Sequence, residues 1–260
     1  MNVLLILAAI LFILMLIIGG GKGVRSFFSL FLNFIVLLIA IFFMEHPSIS
    51  PIFITVVACI VISCVNLFFI NRVNGKTGTA FLATVITIVV LLFFIVIITK
   101  KAMIQGFGQE EADELSVFSL YIGVDYVKIA AAMIIISTIG AMTDVAISIT
   151  SPMREIFKQN PSISRRELFT AGLTIGKDIL GSNANTLFFA FFGDFLALLI
   201  WFKDLSYSFG KIVNSKIFSG EMITIMCAGI GIALIIPIAA WISAYFLVRS
   251  RERNKKLTES

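Results

Sequence analysis

Histidine occurs once, at His46, and cysteine three times, at Cys59, Cys64 and Cys227, each cysteine inside an apolar run. That scarcity excludes a disulfide framework and leaves no His/Cys set for a metal site; the cysteines read as small apolar packing residues. Charge is sparse as well: Asp, Glu, Lys and Arg make up 13% of the 260 residues against 59% apolar, and the mean hydropathy is +1.06. So little charge does not suit a soluble globular domain, and the chain is expected to be an integral membrane protein. Hydrolytic signatures are missing too, with neither HExxH nor GxSxG present. The stretch "GLTIGKD" fails as a phosphate-binding loop, since three residues separate its glycines where four are needed and Asp178 stands where Ser or Thr would hold magnesium. No nucleotide hydrolysis, no enzymatic activity and no cofactor are expected.

What is present is a series of apolar runs of about 20 residues, the length a helix needs to cross a hydrocarbon core; barrel strands are shorter and alternate. The expected fold is therefore all-α, a polytopic transmembrane helix bundle forming a single domain over 1–260. About seven spans are expected, near 3–18, 27–44, 52–70, 80–99, 124–149, 168–202 and 222–248. The first lacks a basic leader and runs into "GGGKGVR", so it reads as a span rather than a cleaved signal.

The net charge of +5 belongs mainly to loops and reports orientation rather than a nucleic-acid partner. Thirteen Lys and Arg fall on one side of the predicted spans and five on the other, which puts the N-terminus outside and the basic tail 249–260 in the cytoplasm. The tail serves as a topology signal or holds anionic headgroups. In the fourth loop, "GQEEADELSVFSL" has the pattern of an acidic amphipathic surface helix.

Ionisable groups inside spans are costly and tend to face protein or a watery cavity. Asp125 and Lys128 lie three apart at the outer end of the fifth span, where they can pair and snorkel. Ser137, Gly140, Asp144 and Ser148 form one narrow stripe on that span, expected to face another helix or a cavity. On the sixth, Thr174, Asp178, Ser182 and Asn185 share a face, Gly172 and Gly176 make a GxxxG pair for close helix approach, and Lys177 points elsewhere. An ion pair between Asp144 and Lys177 is expected from their similar depth. A straight helix over 168–202 would run about 52 Å against a core of about 30 Å. Tilt, an extension into the cytoplasm, or a break near Gly181 resolves the excess. A break at "GSNANT" would free backbone groups for ions or anionic substrates; in a continuous helix Asn183, Asn185 and Thr186 are interhelical hydrogen-bonding groups instead.

The run "IGAMTDVAISITSPMREI…NPSISRRELFTAGLTIGKDILGSNANTLFFAFFG" resembles the YibE/F family of bacterial multi-pass membrane proteins, most specifically over about 109–195, and "GGGKGVRSFF" is similar to that family's first loop. The resemblance maps an aspartate after a small-residue helix onto Asp144, and a basic-Asp pair followed by Asn-Thr onto Lys177, Asp178, Asn185 and Thr186. Two departures stand out: Lys177 replaces the usual arginine, losing its planar fork, and "SNA" replaces a segment richer in Thr and Met. Longer members carry an extracytoplasmic domain before the spans. The resemblance thus implies a shorter, YibF-like chain working with a YibE-like companion in the bacterial cytoplasmic membrane, or as a homo-oligomer.

Three functions remain open on the sequence. The first is a secondary or channel-like transporter subunit for a small or anionic solute, with Asp144, Lys177, Asp178, Ser182, Asn183, Asn185 and Thr186 along the path. The second is a non-transporting scaffold or regulatory subunit held to its companion by these polar groups. A lipid flippase or lipid-handling enzyme is the third.

Overall fold

The computed structural model describes residues 2–44, 46, 48–102 and 126–258, and every regular element among them is a helix. The elements are α1 (Asn2–Met44), α2 (Pro51–Cys64) continued by a π-helical turn (Val65–Phe69), α3 (Gly75–Ala102), α4 (Tyr126–Gln159), α5 (Arg165–Asp194), α6 (Leu196–Asp204), α7 (Phe209–Asn214) and α8 (Lys216–Thr258). Five helices are long and apolar enough to cross a bilayer, and α5 with α6, bent by 52°, makes a sixth. The protein is an all-α, multi-pass membrane bundle. Asp125 and the acidic segment "GQEEADELSVFSL" lie outside the described residues.

The first two predicted spans are the two arms of α1, which doubles back at Gly20 (φ 52°, ψ −135°). Phe12 and Phe27 stack edge to face with ring centroids 5.0 Å apart. In a straight helix they would be about 22 Å apart along the axis. The glycine run therefore makes a tight helical hairpin instead of an extended loop. Its second arm reaches the bundle through Ala40 and Met44, which pack with Ile54, Ala58 and Ala132, and through Asn33, whose Nδ2 donates to Asn66 Oδ1 at 2.8 Å. Asn66 sits in the π-helical turn, and Asn74 then starts α3, its Oδ1 accepting from the backbone N–H groups of Lys76 and Thr77.

Helix α4 is central. Its Ile135, Met142, Val145, Ile149 and Met153 are fully buried with Leu91 of α3 and Ile232 and Ile235 of α8. It runs through Pro152 to Gln159, past the predicted end at 149, although a proline removes one intrahelical donor. Helix α5 opens with a reciprocal cap: Ser164 Oγ accepts from the Glu167 backbone N–H, and Glu167 Oε2 accepts from that of Ser164. The turn before it is clamped by Arg251 of α8, whose Nη1 donates to the Pro161 and Ile163 carbonyls at 2.6 and 3.0 Å.

A break at Gly181 is not what the structure adopts. Helix α5 is continuous through "GSNANT", and the bend falls later, at Phe195. The polar side chains bond within their own helix: Asn183 Nδ2 donates to the Ile179 carbonyl, Thr186 Oγ1 to that of Ser182 and Thr174 Oγ1 to that of Thr170. With these groups satisfied locally, nothing forces the backbone to unwind.

The same back-bonding covers Thr84, Thr87, Thr99 and Thr143, whereas the buried hydroxyls of Thr150 and Ser243 have no partner among the described residues. An unmet buried hydroxyl costs about 1–3 kcal/mol. Ser243→Ala and Thr150→Val are therefore expected to leave thermal stability in detergent unchanged or to raise it by about 1 kcal/mol. A clear loss in both variants would show that these hydroxyls are satisfied in the folded protein.

Candidate functional site

Both α4 and α5 lie against α8, and each turns a polar stripe away from the core. On α4, Met142, Val145, Ile149 and Met153 take the inner side, leaving Ser137, Asp144 and Ser148 exposed and Gly140 half-buried on the other. A Cβ placed on Gly140 would meet nothing within 4 Å, so this glycine is not filled by a neighbouring helix. The predicted stripe exists, but no element among the described residues covers it.

Helix α5 is set by its glycines. A Cβ on Gly172 would lie 2.6 Å from Met153 Sδ and 2.8 Å from Ala240 Cβ, and one on Gly176 would overlap the Ile236 side chain. The glycine pair thus forms the contact with α8 and the inner end of α4. Residues about half a turn away then point outward, and Thr174, Lys177, Asp178, Gly181, Ser182, Asn185 and Thr186 are all exposed, with Asn183 half-buried between the two sides. Gly181 differs from the inner pair, having nothing within 4 Å of a Cβ built on it.

The expected Asp144–Lys177 ion pair does not form; the salt bridge found among the described residues joins Lys158 to Glu155 at 2.7 Å. Helical phase explains why. Helix α4 presents Met153 to α5, and Asp144 is nine residues away, two and a half turns and about 180° around the same helix. Equal depth is no help when two side chains leave opposite faces. Lys128, at the start of α4, is half-buried.

Asn185 has a second environment, as the polar residue of a cleft of about 450 Å³ between α5 and α8 whose other walls include Leu187, Phe188, Ile225, Met226, Gly229 and Ile230. The lining suits an apolar chain with one hydrogen-bonding group. Two carboxylates absent from the sequence expectations lie on α5 and α8: Asp194, at the far end of α5, is exposed, and Glu221, near the start of α8, is half-buried. Asp194 falls inside the apolar run 168–202, where it adds a further intramembrane charge. Among the described residues no group of three or more His, Cys, Asp or Glu side chains is placed to hold a metal ion.

The family model described as YibE/F-like protein matches residues 7–249, and the chain belongs to that family. No curated protein and no solved structure matches the chain.

Proposed function

We propose that this YibE/F-like chain is a subunit of a membrane transporter that moves a small or anionic solute across the bacterial cytoplasmic membrane by a secondary or channel-like mechanism. The observation carrying this reading is the open polar face of α5, where Lys177 and Asp178 stand exposed within a continuous helix of an apolar bundle. A charge at the centre of a spanning helix costs roughly 2.5–3.5 kcal/mol against lipid. That face belongs next to water or protein, and a path along it is completed by a further chain, either a companion or a second copy. Lys177 supplies attraction for an anion, and Asp178 sets a carboxylate beside it. Coupling to an ion gradient or to the partner then provides the energy.

The openness of the α4 stripe favours one further reading, a non-transporting subunit whose polar faces only hold its partner. The two readings part at Asp178. In a gene-deletion strain of the native host, metabolites inside and outside the cell are compared after rescue with wild type or with Asp178→Asn at matched abundance. A compound displaced on deletion and restored only by wild type is the expected result. Equal rescue by both versions, or no displaced compound, rejects the path and leaves the holding role.

A further inference from the structure

The outward face of α5 has a pattern that packing among the described residues does not account for. Thr174, Gly181 and Asn185 follow i, i+7, i+11 and form one ridge, while Lys177 at i+3 and Asp178 at i+4 stand on its two opposite flanks. All five are exposed, and neither charged group takes part in an ion pair among the described residues. Gly172 and Gly176 are accounted for by the side chains of α8 and Met153 that would meet a Cβ there. Gly181 has only open space before it, so the missing side chain serves a surface that the described residues do not supply.

Two copies inserted in the same direction are related by a two-fold axis along the membrane normal, which keeps every residue at its own depth. Such an axis places the left flank of one helix opposite the right flank of its mate. Lys177 and Asp178 differ in depth by one residue, about 1.5 Å. The lysine of each copy then faces the aspartate of the other, twice over, with the small Thr174 and Gly181 on the axis where the backbones come nearest and Asn185 able to bond to its own counterpart.

We propose that two copies of this chain associate through α5 about a two-fold axis along the membrane normal, with Thr174, Gly181 and Asn185 at the seam and Lys177 of each copy paired with Asp178 of the other. This names the partner that covers the α5 face and rests on the reading that this face is not lipid-exposed; it does not require that any solute moves. The charge pattern selects the second copy over an unrelated apolar helix, because the required opposite charge is already present at the matching depth.

The test uses full-length protein in native membranes, with Cys59, Cys64 and Cys227 replaced by alanine and single cysteines introduced by Thr174→Cys, Gly181→Cys or Phe93→Cys. Oxidation is expected to give homodimer at 174 and 181 and not at 93, on the exposed face of α3. Lys177→Asp alone and Asp178→Lys alone are each expected to lower the dimer yield at 174 at least tenfold, about 1.4 kcal/mol. The double exchange restores it, because both cross-pairs are remade with reversed polarity. If a single reversal prevents insertion, the milder Lys177→Gln and Asp178→Asn, made separately, provide the same comparison. Absence of crosslinks at 174 and 181, crosslinking to a different chain there, or failure of the double exchange in protein of normal abundance overturns the proposal. Loss of transport in Asp178→Asn without any dimer would leave the transport reading standing and sink this one. Dimer recovery in the double exchange without any measurable transport would do the reverse.

Discussion

Gly176→Ala is expected to destabilise the bundle by about 1–3 kcal/mol, and Gly172→Ala by a similar amount, although alanine is the better helix former. At position 176 the added methyl would overlap the branched Ile236 side chain, and at 172 it would sit 2.8 Å from the Cβ of Ala240, an atom with no rotamer through which to retreat. Relief must come from moving α5 off α8, which opens a core containing Ile235, Ile236, Ala239 and Ala240. Gly140→Ala makes the same chemical change on the open stripe of α4, where no atom lies within 4 Å of the new methyl. There helix propensity acts alone, and stability is expected to hold or rise by up to about 1 kcal/mol. Thermal unfolding of the three purified variants in one detergent separates the cases. Equal shifts at 176 and 140 would mean that the α5–α8 contact is looser than the geometry describes.

The contrast among these glycines also marks what the sequence can and cannot disclose. Membrane class and all-helical fold follow from apolar run length, which one chain reveals without reference to its neighbours. The close-packing role of Gly172 and Gly176 follows from spacing for the same reason. Gly181, Gly140 and the GxxxG pair look alike as letters; only the placement of α8 separates the filled positions from the open ones. The Asp144–Lys177 pairing failed at that level, since depth is readable from position whereas the azimuth at which two helices meet is fixed by Met153 against Gly172. Of the alternatives open for the long span, a break near Gly181 is not taken, for a local reason. Thr174, Asn183 and Thr186 bond to carbonyls one turn back in their own helix and need no outside partner.

The other large effect is expected at the N-terminal hairpin. Gly20 takes a positive φ with ψ −135°, a conformation that costs a residue with a side chain of order 1–3 kcal/mol. Three residues on, a Cβ at Gly23 would overlap the Met15 carbonyl of the opposing arm, and backbone cannot rotate aside. Gly23→Val is therefore expected to force the arms apart, while Gly21→Val, with nothing within 4 Å of its Cβ, leaves them together. Little else restrains the first arm: Leu4 and Ile18 are 74% and 84% exposed, whereas Asn33, Ala40 and Met44, which join α1 to the bundle, all belong to the second. Cysteines introduced by Phe12→Cys and Phe27→Cys, bridged by a short bifunctional thiol reagent, report the approach of the arms, since the two rings they replace are 5.0 Å apart. The reagent should join them in the parent and in Gly21→Val. In Gly23→Val the yield is expected to fall at least tenfold, the counterpart of about 1.4 kcal/mol, which a backbone overlap exceeds. Retention of the crosslink in Gly23→Val would mean that the arms meet at a wider separation, one that leaves room for a side chain at 23 and removes the need for glycine there.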